Sequence, residues 1–87
     1  MNRKKKAFLG GWRLKEGRLS KTFVFDDFNA ALAFINWVGD FSETIQHHPK
    51  IINTYNQVVL EIWTQDTNSL TSKDEEWIDA FEKKWIP

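Results

Sequence analysis

Gln46-His47-His48-Pro49-Lys50-Ile51-Ile52-Asn53-Thr54-Tyr55-Asn56-Gln57-Val58-Val59-Leu60-Glu61-Ile62-Trp63-Thr64 is where the chain changes its hydrophobic period, and that change decides the fold class. Upstream of Gln46 apolar residues recur every three or four positions; downstream of Pro49 they alternate. Pro49 carries no backbone N–H and pushes the residue before it out of the α region, so a helix reaching about Gln46 stops there. Ile51 to Tyr55 then reads as a short strand, Asn56-Gln57 as a turn, and Val58 to Thr64 as a longer strand. Val58, Leu60 and Ile62 point one way along it, and Val59, Glu61 and Trp63 the other.

Working outward, Phe28, Ala31, Leu32, Ile35 and Val38 fall at helical spacing behind Asp26 or Asp27, either of which suits an N-cap. Before them, Trp12 and Leu14 alternate with Arg13 and Lys15, and Lys15-Glu16-Gly17-Arg18 has turn chemistry. Leu19, Phe23 and Phe25 then share a face, which predicts a β-hairpin over residues 11–26. On the far side, a loop from Gln65 to Leu70 leads to Thr71-Ser72-Lys73-Asp74-Glu75, where Ser72 and Glu75 have the spacing of a capping box. The helix that follows offers Trp77, Ile78, Phe81 and Trp85 for burial. The order is β-β-α-β-β-α. It predicts an α+β fold with both helices packed on one face of a four-stranded antiparallel sheet.

Eighty-seven residues support one hydrophobic core and not two. Seven Phe, five Trp and one Tyr are many for that length, and each buries roughly 150–250 Å². Surplus apolar surface on so small a domain leads us to expect a homo-oligomer. Twelve basic and twelve acidic residues cancel, so no global field recruits nucleic acid or an anionic membrane. The local exception, Arg3-Lys4-Lys5-Lys6, belongs to a basic N-terminus, residues 1–10, expected to be disordered or loosely packed ahead of a single domain over residues 11–87. With no cysteine there is no disulfide framework, thiolate nucleophile or cysteine-bound metal. Ala7 to Gly11 is too short for a signal-peptide core and no run of about 18 apolar residues exists, so a cytoplasmic protein is expected.

His47 and His48 are the only histidines. An imidazole exchanges protons near neutral pH without extreme tuning. Adjacent helical positions point about 100° apart, which suits proton transfer better than a shared metal ion. A plainer alternative stands beside this: one ring caps the helix C-terminus, whose free carbonyls and dipole favour a cation, and the other is solvated or packed. Glu43, four residues before His47, shares its helical face and has the spacing to orient or charge the ring.

Glu43-Thr44-Ile45-Gln46-His47-His48-Pro49, then Tyr55, then Thr64-Gln65-Asp66, then Thr71-Ser72-Lys73-Asp74 resembles the pterin-4a-carbinolamine dehydratases. Phe25-Asp26-Asp27-Phe28-Asn29-Ala30-Ala31 is similar to the start of that family's long helix, and Asn53-Thr54-Tyr55-Asn56 to its third strand. The likeness runs over roughly residues 11–82, and its parts stand in order at the right spacing. It implies a four-stranded sheet backed by helices, with protomers joining sheet edges into a homodimer or homotetramer. It also implies loss of water from 4a-hydroxytetrahydropterin to give the quinonoid dihydropterin, with no metal or organic cofactor, no direct nucleic-acid partner and no membrane.

By that resemblance His47 and His48 are the acid/base residues, Glu43 and Asp74 support them, and Gln46, Trp63, Thr64 and Gln65 line the pterin. The family pattern has a third histidine after Thr64, where this chain has Gln65, which hydrogen-bonds but does not exchange a proton at neutral pH. The family's N-terminal helix is also not evident in the ten or so residues before Trp12. Two readings follow: a dehydratase weakened at Gln65, or a non-catalytic dimer serving as a binding module, such as a RuBisCO assembly factor or a transcription-factor partner. Salvage of another pterin is a third.

Overall fold

In Lys15-Glu16-Gly17-Arg18, Glu16 and Gly17 both take positive φ, 52° and 78°. Two such residues in succession make the turn that matches the twist of paired strands. They close a hairpin of β1 (Arg13–Lys15) and β2 (Arg18–Val24), with Lys15 opposite Arg18. A computed structural model describes residues 11–85; the basic N-terminus expected over residues 1–10 lies outside them. After β2 come α1 (Phe28–Ile45), β3 (Lys50–Thr54), β4 (Gln57–Ile62) and α2 (Ser72–Lys84). The sheet order is β1-β2-β4-β3, antiparallel throughout.

Register decides which face is covered. Leu19 lies opposite Ile62 and Phe23 opposite Val58, so the alternating apolar residues of β2 and β4 coincide on one face. Both helices pack on it: Ala31, Phe34, Val38 and Phe41 of α1, and Trp77, Ile78 and Phe81 of α2, are buried with Leu19, Val58, Leu60 and Ile62. Trp12 enters the same core edge-on to Trp77 and Phe81, each at 6.0 Å between ring centroids. The predicted α+β architecture is therefore the one observed.

Several details differ from the expectations. The buried stripe of α1 is Ala31, Phe34, Val38, Phe41 and Ser42, while Phe28 and Leu32 are exposed. A 3.6-residue period accommodates either stripe; the aromatic partners of Phe34, which are Phe23, Phe25, Phe81 and Trp85, select this one. Leu14 shares the side of Leu19, its opposite number, yet is 69% exposed, because it sits on the short edge strand. The β3–β4 turn is Tyr55-Asn56 rather than Asn56-Gln57, since Gln57 still pairs with Thr54. Tyr55 has φ 52°, and Asn53 steadies the turn by donating from Nδ2 to the carbonyls of Tyr55 and Gln57. At the last helix the capping box is Thr71 with Asp74, one position before Ser72 and Glu75.

Candidate functional site

The end of α1 sets the direction of both histidines. Gln46 adopts a left-handed conformation, φ 55° and ψ 42°, so the helix ends three residues before Pro49 and by its own cap. The N–H groups of Gln46 and His47 both donate to the Ser42 carbonyl, and Gln46 Nε2 donates to the Glu43 carbonyl at 2.8 Å. A non-glycine residue in this region is uncommon. Here the two main-chain bonds and the side-chain bond hold it. Of the last-turn carbonyls, that of Ser42 is taken by main chain and that of Glu43 by the Gln46 side chain, and neither histidine ring bonds one.

Beyond the left-handed residue the two rings diverge. His47 Nε2 lies 2.6 Å from Oδ1 of Asp74 on α2, with the histidine side chain 14% exposed and the aspartate fully buried. His48 turns back over α1, its Nε2 2.6 Å from Glu43 Oε2, in a pair open to solvent on both sides. Glu43 therefore pairs with His48, not with His47 as the i, i+4 spacing suggested, because neither histidine is helical. Each imidazole is held at Nε2 by its own carboxylate. Among the described residues none hydrogen-bonds either Nδ1, and no buried side-chain nitrogen or oxygen lacks a partner, so His47 Nδ1 reaches solvent.

Asp74 is fixed from three directions. Its Oδ2 accepts from Thr64 Oγ1 and from the Thr71 main-chain N–H, both at 2.8 Å, and Oδ1 faces His47. A buried carboxylate needs such donors, since an unpaired one would neutralise or unfold the site. Thr64, buried two residues after β4, is held by a bridge to Ser69 that closes the loop over residues 65–68. Ser42, also buried, accepts from Trp77 Nε1 at 3.3 Å and ties the end of α1 to α2. These contacts bring residues 27 positions apart in sequence to hydrogen-bond distance.

The remaining expected residues lie around this centre without joining it. Gln65 directly follows Thr64 and is exposed, with no side-chain hydrogen bond to a described residue. Trp63 points to the sheet face opposite the helices, where the Arg18 guanidinium sits 4.0 Å over its ring; Arg18 also donates to Asn68 Oδ1 and so tethers the 65–68 loop to the β1–β2 turn. Gln46 is turned onto the helix end. Thr71 is the residue that sequence reading left out of the site, although its place three before Asp74 in an N-cap pattern was a usable signal. The arrangement offers two carboxylate-anchored imidazoles, side by side in sequence, for proton exchange. Among the described residues no group of three His, Cys, Asp or Glu side chains gathers as a metal ion would require, and no helix is long and apolar enough to cross a membrane.

Comparison with known proteins agrees with this fold. The chain is 44% identical over 66 residues to a Drosophila melanogaster protein named pterin-4-alpha-carbinolamine dehydratase, covering 74% of this chain and 34% of that longer one. It is 42% identical over 76 residues to a Gloeobacter violaceus protein, covering 83% of each, and 38% identical over 66 residues to one from Sulfurisphaera tokodaii, covering 76% and 71%. Both are provisionally named pterin-4-alpha-carbinolamine dehydratases. A crystal structure from Brucella melitensis, described as a transcriptional coactivator/pterin dehydratase, superposes with a TM-score of 0.77 at 25% identity, covering 92% of this chain and 89% of that one. Residues 2–84 match the sequence pattern of one family, and the chain belongs to it: the pterin 4 alpha carbinolamine dehydratases.

Proposed function

We propose that the protein dehydrates a 4a-hydroxytetrahydropterin to the quinonoid dihydropterin, in the cytoplasm, with His47 and His48 as its acid/base pair. The observation that carries this reading is the pair of imidazoles, each anchored at Nε2 by a carboxylate 2.6 Å away and each with Nδ1 unengaged by described residues. The reaction breaks the C4a–O bond after a proton reaches the departing hydroxyl, and forms the C4a–N double bond as a proton leaves the neighbouring ring nitrogen. One group gives a proton and another takes one, so the net product is water and no redox partner is needed. His47, shielded and oriented by buried Asp74, is suited to the step that demands fixed geometry. His48, more exposed, is suited to exchange with solvent. Gln46, Gln65 and the main chain at Trp63 and Thr64 contribute hydrogen bonds to the pterin edge, with Gln65 in the place of a third proton-transferring side chain.

The protein acts as a homodimer or homotetramer joined through sheet edges, in keeping with two edge strands, β1 and β3, whose residues are all exposed. A second reading is a non-catalytic dimer that binds a protein partner. It is favoured by Gln65 and by the coactivator description of the Brucella melitensis relative. Stopped-flow absorbance with synthetic carbinolamine decides between them. Acceleration over buffer that is lost in His47→Ala supports the dehydratase; a parent protein no faster than buffer leaves only the binding role.

A further inference from the structure

The hydrogen bonds behind His47 have a direction that can be worked out by counting protons. A threonine hydroxyl has one proton to give. Thr64 Oγ1 is 2.8 Å from Asp74 Oδ2 and 2.6 Å from Thr71 Oγ1. Were its proton given to Thr71, its lone pairs would face a carboxylate oxygen. It is therefore given to Asp74, and the Thr64–Thr71 contact is donated by Thr71. Thr71 Oγ1 in turn accepts from the Lys73 main-chain N–H at 3.2 Å. Asp74 Oδ2 thus receives two donors, Thr64 Oγ1–H and Thr71 N–H. An oxygen that accepts two hydrogen bonds carries no proton of its own, so Oδ2 is an acceptor only. Its other oxygen, Oδ1, faces His47 Nε2; with Asp74 accepting at both oxygens, the proton between them rests on the nitrogen.

We propose that Thr71 and Thr64 form a directed relay onto Asp74 that fixes His47 with its proton on Nε2, leaving Nδ1 as the ring atom that exchanges protons with a bound pterin. Thr64 and Thr71 are positioning residues that act through Asp74, and the side chain of Thr64 serves the histidine rather than the ligand. The inference rests on the dehydratase reading for its kinetic consequence but not for its structural one. Thr64→Val removes the hydroxyl while keeping the shape, and Thr64→Ser keeps the hydroxyl.

The direct test is the ring-nitrogen NMR spectrum of the full chain, taken to alkaline pH until the imidazoles are neutral. The two histidines are told apart with His48→Gln. The parent is expected to show His47 as a single Nε2–H tautomer, Thr64→Ser to match it, and Thr64→Val to show a mixture of tautomers. In stopped-flow assays Thr64→Val is expected to lower kcat roughly ten-fold with little change in KM, about the worth of one hydrogen bond to a charged group, and Thr64→Ser to recover most of the loss. An Nδ1–H tautomer in the parent overturns the proposal, as does an unchanged His47 spectrum in folded Thr64→Val. A parent with the expected tautomer but no acceleration over buffer overturns only the dehydratase reading. Should Thr64→Val fail to fold, the parent and Thr64→Ser spectra still decide.

Discussion

At the scale of single residues, the two histidines are neighbours in sequence but unequal in setting. His47 is clamped to a buried aspartate, whereas His48 and Glu43 form a solvent-exposed pair of the kind that contributes little to stability and is screened by salt. His47→Ala is accordingly expected to lower kcat by about 10²–10⁴-fold, the usual range for one acid/base group, and Glu43→Gln to have a much smaller effect; stopped-flow rates at low and high salt check both. Gln65→His should raise the rate, because it puts a titratable group beside Thr64 without disturbing any hydrogen bond that Gln65 makes to the described residues. An unchanged rate in that variant means that the position does not face the reacting pterin.

At the scale of elements, the ends of the helices matter more to the site than their lengths. The left-handed Gln46 releases His47 toward α2, and the Thr71 cap delivers Asp74 to meet it. The same Asp74 side chain closes the capping box and anchors the histidine, so helix start and site are one construction. Thr71→Ala should cost about 1 kcal/mol of unfolding free energy, as is typical for loss of an N-cap, while Ser72→Ala, exposed and one residue inside the helix, should stay within about 0.5 kcal/mol of the parent. Urea denaturation of the two variants separates the observed cap from the one that spacing alone suggested.

At the scale of the whole molecule, one aromatic core holds both helices to the covered sheet face, and among the described residues no element packs on the other face or pairs with either sheet edge. Phe34 touches Phe23, Phe25, Phe81 and Trp85, so Phe34→Ala should cost about 3–5 kcal/mol. That is a large part of the stability of a domain this small. Leu32→Ala on the exposed side of α1 should be nearly neutral, and thermal melts of the pair test the corrected stripe. On the uncovered sheet face, Ile52 of edge strand β3 and Val24 of β2 are exposed, the latter at 68%. If protomers join at β3, Ile52→Lys should shift the protein to monomer in sedimentation velocity, because a charge on an edge strand opposes pairing.

The sequence by itself determined the order of the elements, the antiparallel sheet and the family, because helix and strand periods and turn residues are local signals and the motif around His47-His48-Pro49 is contiguous. It also narrowed the chemistry to two imidazoles and a few carboxylates by leaving no other histidine and no cysteine. Only the tertiary structure decided which carboxylate serves which ring. A left-handed residue at Gln46 redirects both rings after the helix ends, and such a conformation on a glutamine has no signature in composition or spacing. Packing of α2 on α1 then brings Asp74 to His47 and turns the Thr64 hydroxyl inward beneath it, and the same packing chose the Phe34 stripe over the Phe28 one. These choices depend on residues distant in sequence becoming neighbours, where burial obliges every polar group to find a particular partner.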